Sequence, residues 1–246
     1  MSTATTNRHR ASAIEKRVAA QDWQAIEGSL DRYGSGILEG LLTADECRDL
    51  AAGYGQDGLF RSRVVMARHG FGSGEYRYYD HPLPPLIADL RTSLYDRLAG
   101  LANRWNESLG IDVRYPEVHA EFLDRCHRAG QTRPTPLLLQ YREGDFNCLH
   151  QDVYGEHVFP LQVTFLLSVP GRDFTGGEFV LVEQRPRQQS RSEVVTLGQG
   201  DGVIFPVTHR PVAGTRGSYR AGMRHGVSRL RSGGRHTLGI IFHDAR

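Results

Sequence analysis

His150, Gln151 and Asp152 set an imidazole and a carboxylate two residues apart. On an extended strand, residues i and i+2 point to one face about 7 Å apart along the backbone, so both side chains can reach one ion. The pair follows a glycine-containing turn (residues 141–145) and precedes another (residues 153–157), which predicts a position near a strand end. A second imidazole from a distant strand would complete a set of two histidines and one carboxylate. That set leaves coordination positions open and is the arrangement of non-heme Fe(II) oxygenases. The chain has 11 histidines, so H-x-D also arises by chance, and His119-Ala120-Glu121 has the same form. We read that second pair as structural.

The other metal ligand must come from His157, His209, His225, His236 or His243. If a keto acid such as 2-oxoglutarate chelates the metal, its far carboxylate needs a fixed cation. The planar fork of an arginine suits a carboxylate. His225 has Arg235 ten residues later, opening the next apolar run, whereas His209 has Tyr219 at that offset, which cannot neutralise a carboxylate. His225 is therefore the expected ligand and His209 the second choice. Two rival chemistries use the same residues. A cupin-type metalloenzyme without cosubstrate would keep the ligands and have no use for Arg235. A Cys148–His150 nucleophilic pair would lack an evident third, orienting group.

Local patterns predict the elements that must position these groups. Ile14, Val18, Trp23, Ile26 and Leu30 fall roughly on one face, which predicts one amphipathic helix over 12–30. Thr43 with Glu46 three residues on predicts a capping box, opening a helix that Gly53 or Gly55 ends. Leu86, Leu90, Leu94, Leu98, Leu101 and Trp105 recur every three or four residues, which predicts a long helix closed by Gly110. From Thr135 onward the texture changes to short apolar or alternating runs bounded by Gly, Pro or Asp. They lie at 136–141, 147–152, 159–169, 176–183, 192–198, 202–207, 219–227 and 235–243. Eight such runs predict an antiparallel sandwich or barrel, the jelly roll included. Helices first and strands afterwards make the class α+β.

Charge is uneven. Residues 185–246 hold 11 arginines against three acids, a net +8, while the whole chain is +2 and residues 1–184 therefore −6. A basic third can attract a polyanion. Lys16 is the sole lysine, so the surplus also fits a solvated surface that uses arginine. Tyr76, Tyr78 and Tyr79 flank Arg77 and could stack an unpaired base; a half-buried edge strand is the plainer reading. The basic, glycine-rich segment 208–222 suits either a substrate lid or a solvent loop. No run of 18 apolar residues predicts a membrane span, and the first residues lack a secretory apolar core. Three widely spaced cysteines fit a reduced, cytoplasmic compartment.

The stretch 137–152, LLLQYREGDFNCLHQD, resembles the first metal strand of Fe(II)/2-oxoglutarate dioxygenases: a Tyr, a Gly three residues later, then H-x-D. It is similar to the bacterial DNA-dealkylating AlkB type, which shares LHQD, and to prolyl 4-hydroxylases. The segments at 176–183, 198–205 and 224–242 resemble later strands of the prolyl-hydroxylase-like branch, and 40–50 resembles its opening strand and helix. Taken together, residues 36–244 look most like a bacterial branch predicted to act on nucleic acids. The chain departs from the AlkB pattern at its last strand, where R-x-N-x-T-x-R is replaced by RHTLGIIFH.

The resemblance implies a double-stranded β-helix, the cupin-like jelly roll, with supporting N-terminal helices. It implies an N-terminal tail and helix over 1–35, then a single dioxygenase domain over 36–246 with its jelly-roll core at about 136–246. His150, Asp152 and His225 would bind Fe(II), Arg235 would clamp the far carboxylate of 2-oxoglutarate, Tyr141 would offer its hydroxyl to that cosubstrate, and Thr237 is a further candidate beside Arg235. With O2 the implied reaction is hydroxylation of a C–H bond. On an N-methyl base it would end in dealkylation; a peptide (prolyl-type) or small-molecule substrate would stay hydroxylated. Substrate class and oligomeric state are left open by the sequence.

Overall fold

The N-terminal amphipathic stretch folds as two helices, not one, in a computed structural model that describes residues 12–152, 155–215 and 217–246. Helix α1 is Ala13–Ala19 and α2 is Trp23–Tyr33. The break has a local cause: the Asp22 side chain accepts from the Ala25 amide and starts a new helix, while the Trp23 indole donates back to the Val18 carbonyl. Gly34, at φ +81°, closes α2. Helix α3, Ala44–Ala52, opens with the expected capping box of Thr43 and Glu46. Helix α4, Pro85–Ser108, is the long apolar helix, and α5 is His119–Arg128. No helix among the described residues is long and apolar enough to cross a membrane.

The strands in chain order are β1 Gly36–Leu38, β2 Phe60–Val65, β3 Gly72–Ser73, β4 Glu75–Tyr79, β5 Leu137–Arg142, β6 Phe146–His150 and β7 Leu161–Leu166. They continue with β8 Phe174–Gly176, β9 Phe179–Gln184, β10 Arg191–Val195, β11 Gly202–Pro206, β12 His209–Gly214, β13 Gly217–Val227 and β14 Leu230–Ile241. The larger sheet runs β1-β11-β7-β14-β5-β4-β2, with β8 also on β14. The smaller runs β10-β9-β13-β6-β3, with β12 also on β13. All the ladders between named strands are antiparallel, so the core is the α+β double-stranded β-helix with helices on one face.

Strand periodicity sorts side chains between two interiors. On β14, Leu238 and Ile240 pack with Leu90 and Leu94 of α4, whereas Arg235, Thr237 and Ile241 face a cavity between the sheets. On β5, Leu138 joins the helix-side core while Leu137, Leu139 and Tyr141 line the cavity. A second apolar cluster, including Leu166, Phe174, Phe179, Leu181, Val203 and Phe205, fills the rest of the space between the sheets. Ile14 and Val18 of α1 belong to the helix-side core.

Two expectations change here. Within 208–222, residues 209–214 and 217–222 pair as two strands, from His209↔Gly222 to Gly214↔Gly217. The segment is held down rather than loose: the buried Arg210 donates to Glu183 Oε2 at 2.7 Å and to the Asp31 and Arg32 carbonyls at the end of α2. The tyrosines do not share an edge strand either. β4 lies between β5 and β2, Tyr79 is buried on the helix side against Phe60, and Tyr76 and Tyr78 line the cavity.

His119 is structural, as read. It is buried, its Nε2 lies 2.8 Å from the Phe242 carbonyl, and Glu121 is exposed. Burial and the neighbouring Arg91 depress its pKa to about 4. A depressed histidine contributes full stability above the unfolded value near 6.5, and this is lost as the unfolded chain takes up the proton on acidification. Urea unfolding from pH 7 down to pH 4 should therefore show stability falling, with His119 responsible for about 3 kcal/mol of the loss. His119→Gln should flatten that slope by one proton; an unchanged slope would refute the assignment.

Candidate active site

A β-bulge builds the site. Along the β13–β6 ladder His225 faces His150 and Val227 faces Asn147, so Cys148 and Leu149 together oppose the single Gly226. The extra residue lets Asn147 and His150, three apart, both line the cavity. Gly226 permits it: a Cβ there would stand 2.7 Å from the Asn147 carbonyl oxygen and 3.3 Å from Cys148 backbone. Gly226→Ala should cost about 1–3 kcal/mol in urea unfolding, the usual range for overpacking. It should also weaken Co(II) binding in calorimetry, because the clash lies between the two histidines. Wild-type values for both would dismiss this account of the bulge.

The structure brings His150, Asp152 and His225 together. Their candidate ligand atoms all lie within 4.8 Å of one another. His225 Nε2 stands 3.2 Å from Asp152 Oδ2, His150 Nε2 stands 3.6 Å from Asp152 Oδ1, and the two imidazoles are 4.1 Å apart between ring centres. One detail differs from the sequence reading: β6 ends at His150, so Asp152 lies just beyond the strand, not on it. His150 Nδ1 is 2.8 Å from the Cys148 carbonyl. A carbonyl only accepts, so Nδ1 carries the proton and Nε2 keeps its lone pair for a metal. Cys148 itself is exposed and does not line the cavity, so nothing in the site supports a Cys148–His150 nucleophilic pair. Gln162 Nε2 donates to Asp152 Oδ2 at 3.0 Å.

Electrostatics suit a ligand set. Burial and the adjacent His225 hold His150 below its ordinary pKa, hence neutral. Burial pushes Asp152 upward, but the His225 hydrogen bond, both imidazoles and the Gln162 amide outweigh it and hold the carboxylate below its usual range. The other histidines go elsewhere. His209 Nδ1 pairs with Thr208 Oγ1, His236 bonds Gln140 on the far face of the sheet, and His243 is buried beyond β14. Among the described residues, no other such ligand group forms.

The triad shares a cavity of about 270 Å³ with Tyr141, Arg235 and Thr237. Arg235 faces Tyr141 across the β14–β5 ladder, and Thr237 lies two residues along. The guanidinium is 2% exposed, stacks over the Tyr141 and Phe174 rings at 5.6 and 5.8 Å, and leaves Nε and Nη1 without a hydrogen-bond partner. Burial lowers its pKa to about 10, so it stays charged at neutral pH. The Tyr141 hydroxyl is likewise buried without a partner of good geometry, with the Asn147 amide its polar neighbour. Glu178 acts on Arg235 electrostatically without salt-bridging it, and a buried cation with no carboxylate in contact is costly. The donor set at one side and the unpaired fork at the other fit a divalent metal chelated by a keto acid with a distal carboxylate.

Sequence reasoning missed Asn147 and Gln162. Gln162 and Thr164 are polar at i and i+2 within an otherwise apolar strand, and both line the cavity. That pattern could have marked one face of β7 as functional. At the cavity rim, Phe71 is 47% exposed and stacks on His69 at 5.3 Å, and Tyr76 meets Tyr78 edge-on at 5.4 Å.

Comparison with known proteins gives the site a lineage. A family model described as an oxygenase catalysing oxidative methylation of damaged DNA matches residues 74–245. Two uncharacterised proteins of Mycobacterium tuberculosis, from strains CDC 1551 / Oshkosh and ATCC 25618 / H37Rv, are each 50% identical over 164 residues. The match covers 67% of this chain and 70% of theirs. Similar solved structures include a Pseudomonas putida prolyl-4-hydroxylase at 17% identity, TM-score 0.54, covering 91% of this chain and 99% of that one. A Burkholderia pseudomallei oxidoreductase of the 2OG-Fe(II) oxygenase family is 17% identical, TM-score 0.53, covering 96% of each chain. A Trichoplax adhaerens prolyl hydroxylase, solved with a hypoxia-inducible-factor peptide, is 14% identical, TM-score 0.57, covering 95% and 93%. At these identities the solved structures speak for the fold.

Proposed function

The chain belongs to that oxygenase family, and from this premise we propose that it is an Fe(II)- and 2-oxoglutarate-dependent oxygenase that oxidatively dealkylates a nucleic acid base. His150, Asp152 and His225 would hold Fe(II), and Arg235, with Tyr141 and Thr237 beside it, would hold 2-oxoglutarate. The observation that carries the reading is the unpartnered, buried Arg235 guanidinium in the same cavity as the triad. A cupin-type enzyme without cosubstrate would have no reason to bear the cost of that charge.

Iron and 2-oxoglutarate, when bound, supply the oxidising power: O2 is consumed, the keto acid leaves as succinate and CO2, and one oxygen atom enters a substrate C–H bond. The chain's residues do the rest. The Nδ1 bond to Cys148 fixes the His150 tautomer, and Gln162 orients Asp152. Arg235 sets the depth and direction of the cosubstrate through its fork. The apolar walls from Leu137, Leu139, Phe179 and Val227 limit water in the cavity. An N-methyl group hydroxylated there would break down outside the metal to formaldehyde and the free base, the nitrogen taking the hydroxyl proton.

A nucleic acid substrate is supported by the family description and by the aromatic rim of Phe71, Tyr76 and Tyr78, which can stack a base withdrawn from its helix. Peptide hydroxylation is the second reading, favoured by the prolyl-hydroxylase fold. We place the enzyme in a reducing, cytoplasmic compartment, a reading supported by Cys47, Cys126 and Cys148 all being free. The deciding experiment measures succinate release with iron, ascorbate and 2-oxoglutarate against methylated single- and double-stranded oligonucleotides, proline peptides and a metabolite mixture. Stimulation by methylated oligonucleotides with formaldehyde release is expected. Stimulation by peptides alone would overturn the substrate, and no succinate under any condition would overturn the reaction.

A further inference from the structure

Arg235 stands between two cavities. The second, of about 300 Å³, shares only Arg235 and Phe179 with the cavity of the triad. Its other walls are chiefly apolar, from Leu166, Phe174, Val195 and Leu197. The Gly176–Gly177 turn brings backbone directly onto the arginine stem. Both glycines have positive φ, +70° and +65°, and a Cβ on Gly177 would stand 2.4 Å from Leu230 Cδ1 and 3.2 Å from Arg235 Cδ. Glu178, exposed and bonded to the Ser228 hydroxyl, stands at the rim.

A guanidinium has five N–H donors in a planar fork, and one bidentate carboxylate takes two of them. Nε and Nη1 of Arg235 have no partner within the chain. The second cavity thus offers a buried arginine at one wall and chiefly apolar packing elsewhere, broken by Thr175 and Thr196, with one acid at its mouth.

We propose that this cavity is a second ligand site, taking a monocarboxylate with an apolar tail. The carboxylate meets Arg235, and the tail lies among Phe174, Val195 and Leu197. Apolar walls and the Glu178 carboxylate at the rim disfavour a second negative charge on the ligand. One guanidinium carries one positive charge, so two carboxylates upon it repel each other through a medium of low dielectric. The ligand therefore opposes 2-oxoglutarate, and by linkage each weakens the other by the same factor. This antagonism rests on the cosubstrate reading above; occupation of the cavity does not.

The test is a titration of sodium hexanoate into the full chain with methyl-labelled Leu and Val, followed by NMR, with hexan-1-ol as the uncharged control. Saturable shifts are expected at Leu166, Val195 and Leu197, with Leu137 and Leu139 of the first cavity unmoved. Hexan-1-ol should bind more weakly by about tenfold or more, and Val195→Phe, which fills the cavity, should weaken hexanoate by at least as much. Saturating 2-oxoglutarate with Co(II) should raise the apparent Kd of hexanoate several-fold. No saturable shift, shifts confined to Leu137 and Leu139, or equal binding of the alcohol would each overturn the site. If Val195→Phe does not fold, the wild-type methyl map decides alone. If hexanoate binds as expected while 2-oxoglutarate binds nowhere, the cavity stands and the cosubstrate reading falls.

Discussion

Asp152→Ala should abolish metal binding and turnover. Losing the single anionic ligand would leave only two imidazoles to face a dication, with no carboxylate to balance its charge. The expected fall in Co(II) affinity and in succinate release exceeds the roughly 10–100-fold that follows loss of a ligand's hydrogen-bond partner. Gln162→Leu supplies that milder comparison, since it removes only the amide that bonds Asp152 Oδ2. Calorimetry with Co(II) and a succinate assay read both variants. Should Asp152→Ala bind cobalt as well as Gln162→Leu does, the triad is not the metal site.

Arg235→Met should move binding and stability in opposite directions. Breaking a buried ion pair by removing one partner costs about 3–5 kcal/mol, so 2-oxoglutarate affinity should drop by roughly two to four orders of magnitude. Without cosubstrate there is no pair to break. The wild type then carries a buried charge with two unsatisfied nitrogens, and methionine of similar length packs between Tyr141 and Phe174 at no electrostatic cost. Thermal unfolding of the apo variant should therefore occur at or above the wild-type Tm. A large loss of apo stability would show instead that Arg235 holds the barrel together. Arg235→Lys is no safe substitute, because a point charge cannot reproduce the fork.

The parts of the site legible in the sequence were those set by short, local spacing. H-x-D needs only its own neighbourhood, and the ten-residue step from His225 to Arg235 spans one tight turn between β13 and β14. The capping box at Thr43 and the leucine ladder of α4 are equally local, and both appear as read. What escaped depends on pairing between distant segments. The bulge at Cys148–Leu149 exists only relative to Gly226, and nothing in residues 146–150 alone announces it. Asp152 joins His150 and His225 from just beyond the end of β6. Segment 208–222 read as a loop because its glycines and arginines look solvated. Arg210, however, finds Glu183 from another strand and two carbonyls from α2. Tyr76 and Tyr78 parted from Tyr79 by strand alternation, once Arg77 lay in an internal strand rather than in a stacking platform.

Strand β14 is enclosed on both sides, and this has a bearing on altering the enzyme. Its inward residues line the cavity of the triad, while Leu238 and Ile240 are gripped by helix α4. The chamber's dimensions are thus inherited from a hydrophobic layer that no reactant ever meets. Laboratory evolution of new substrate scope has most freedom at Phe71, an exposed ring in the cavity lining, whereas Tyr76 packs against the core between the sheets. Changes beneath β14, however distant from the chemistry, would act as a change of focus and blur every contact at once.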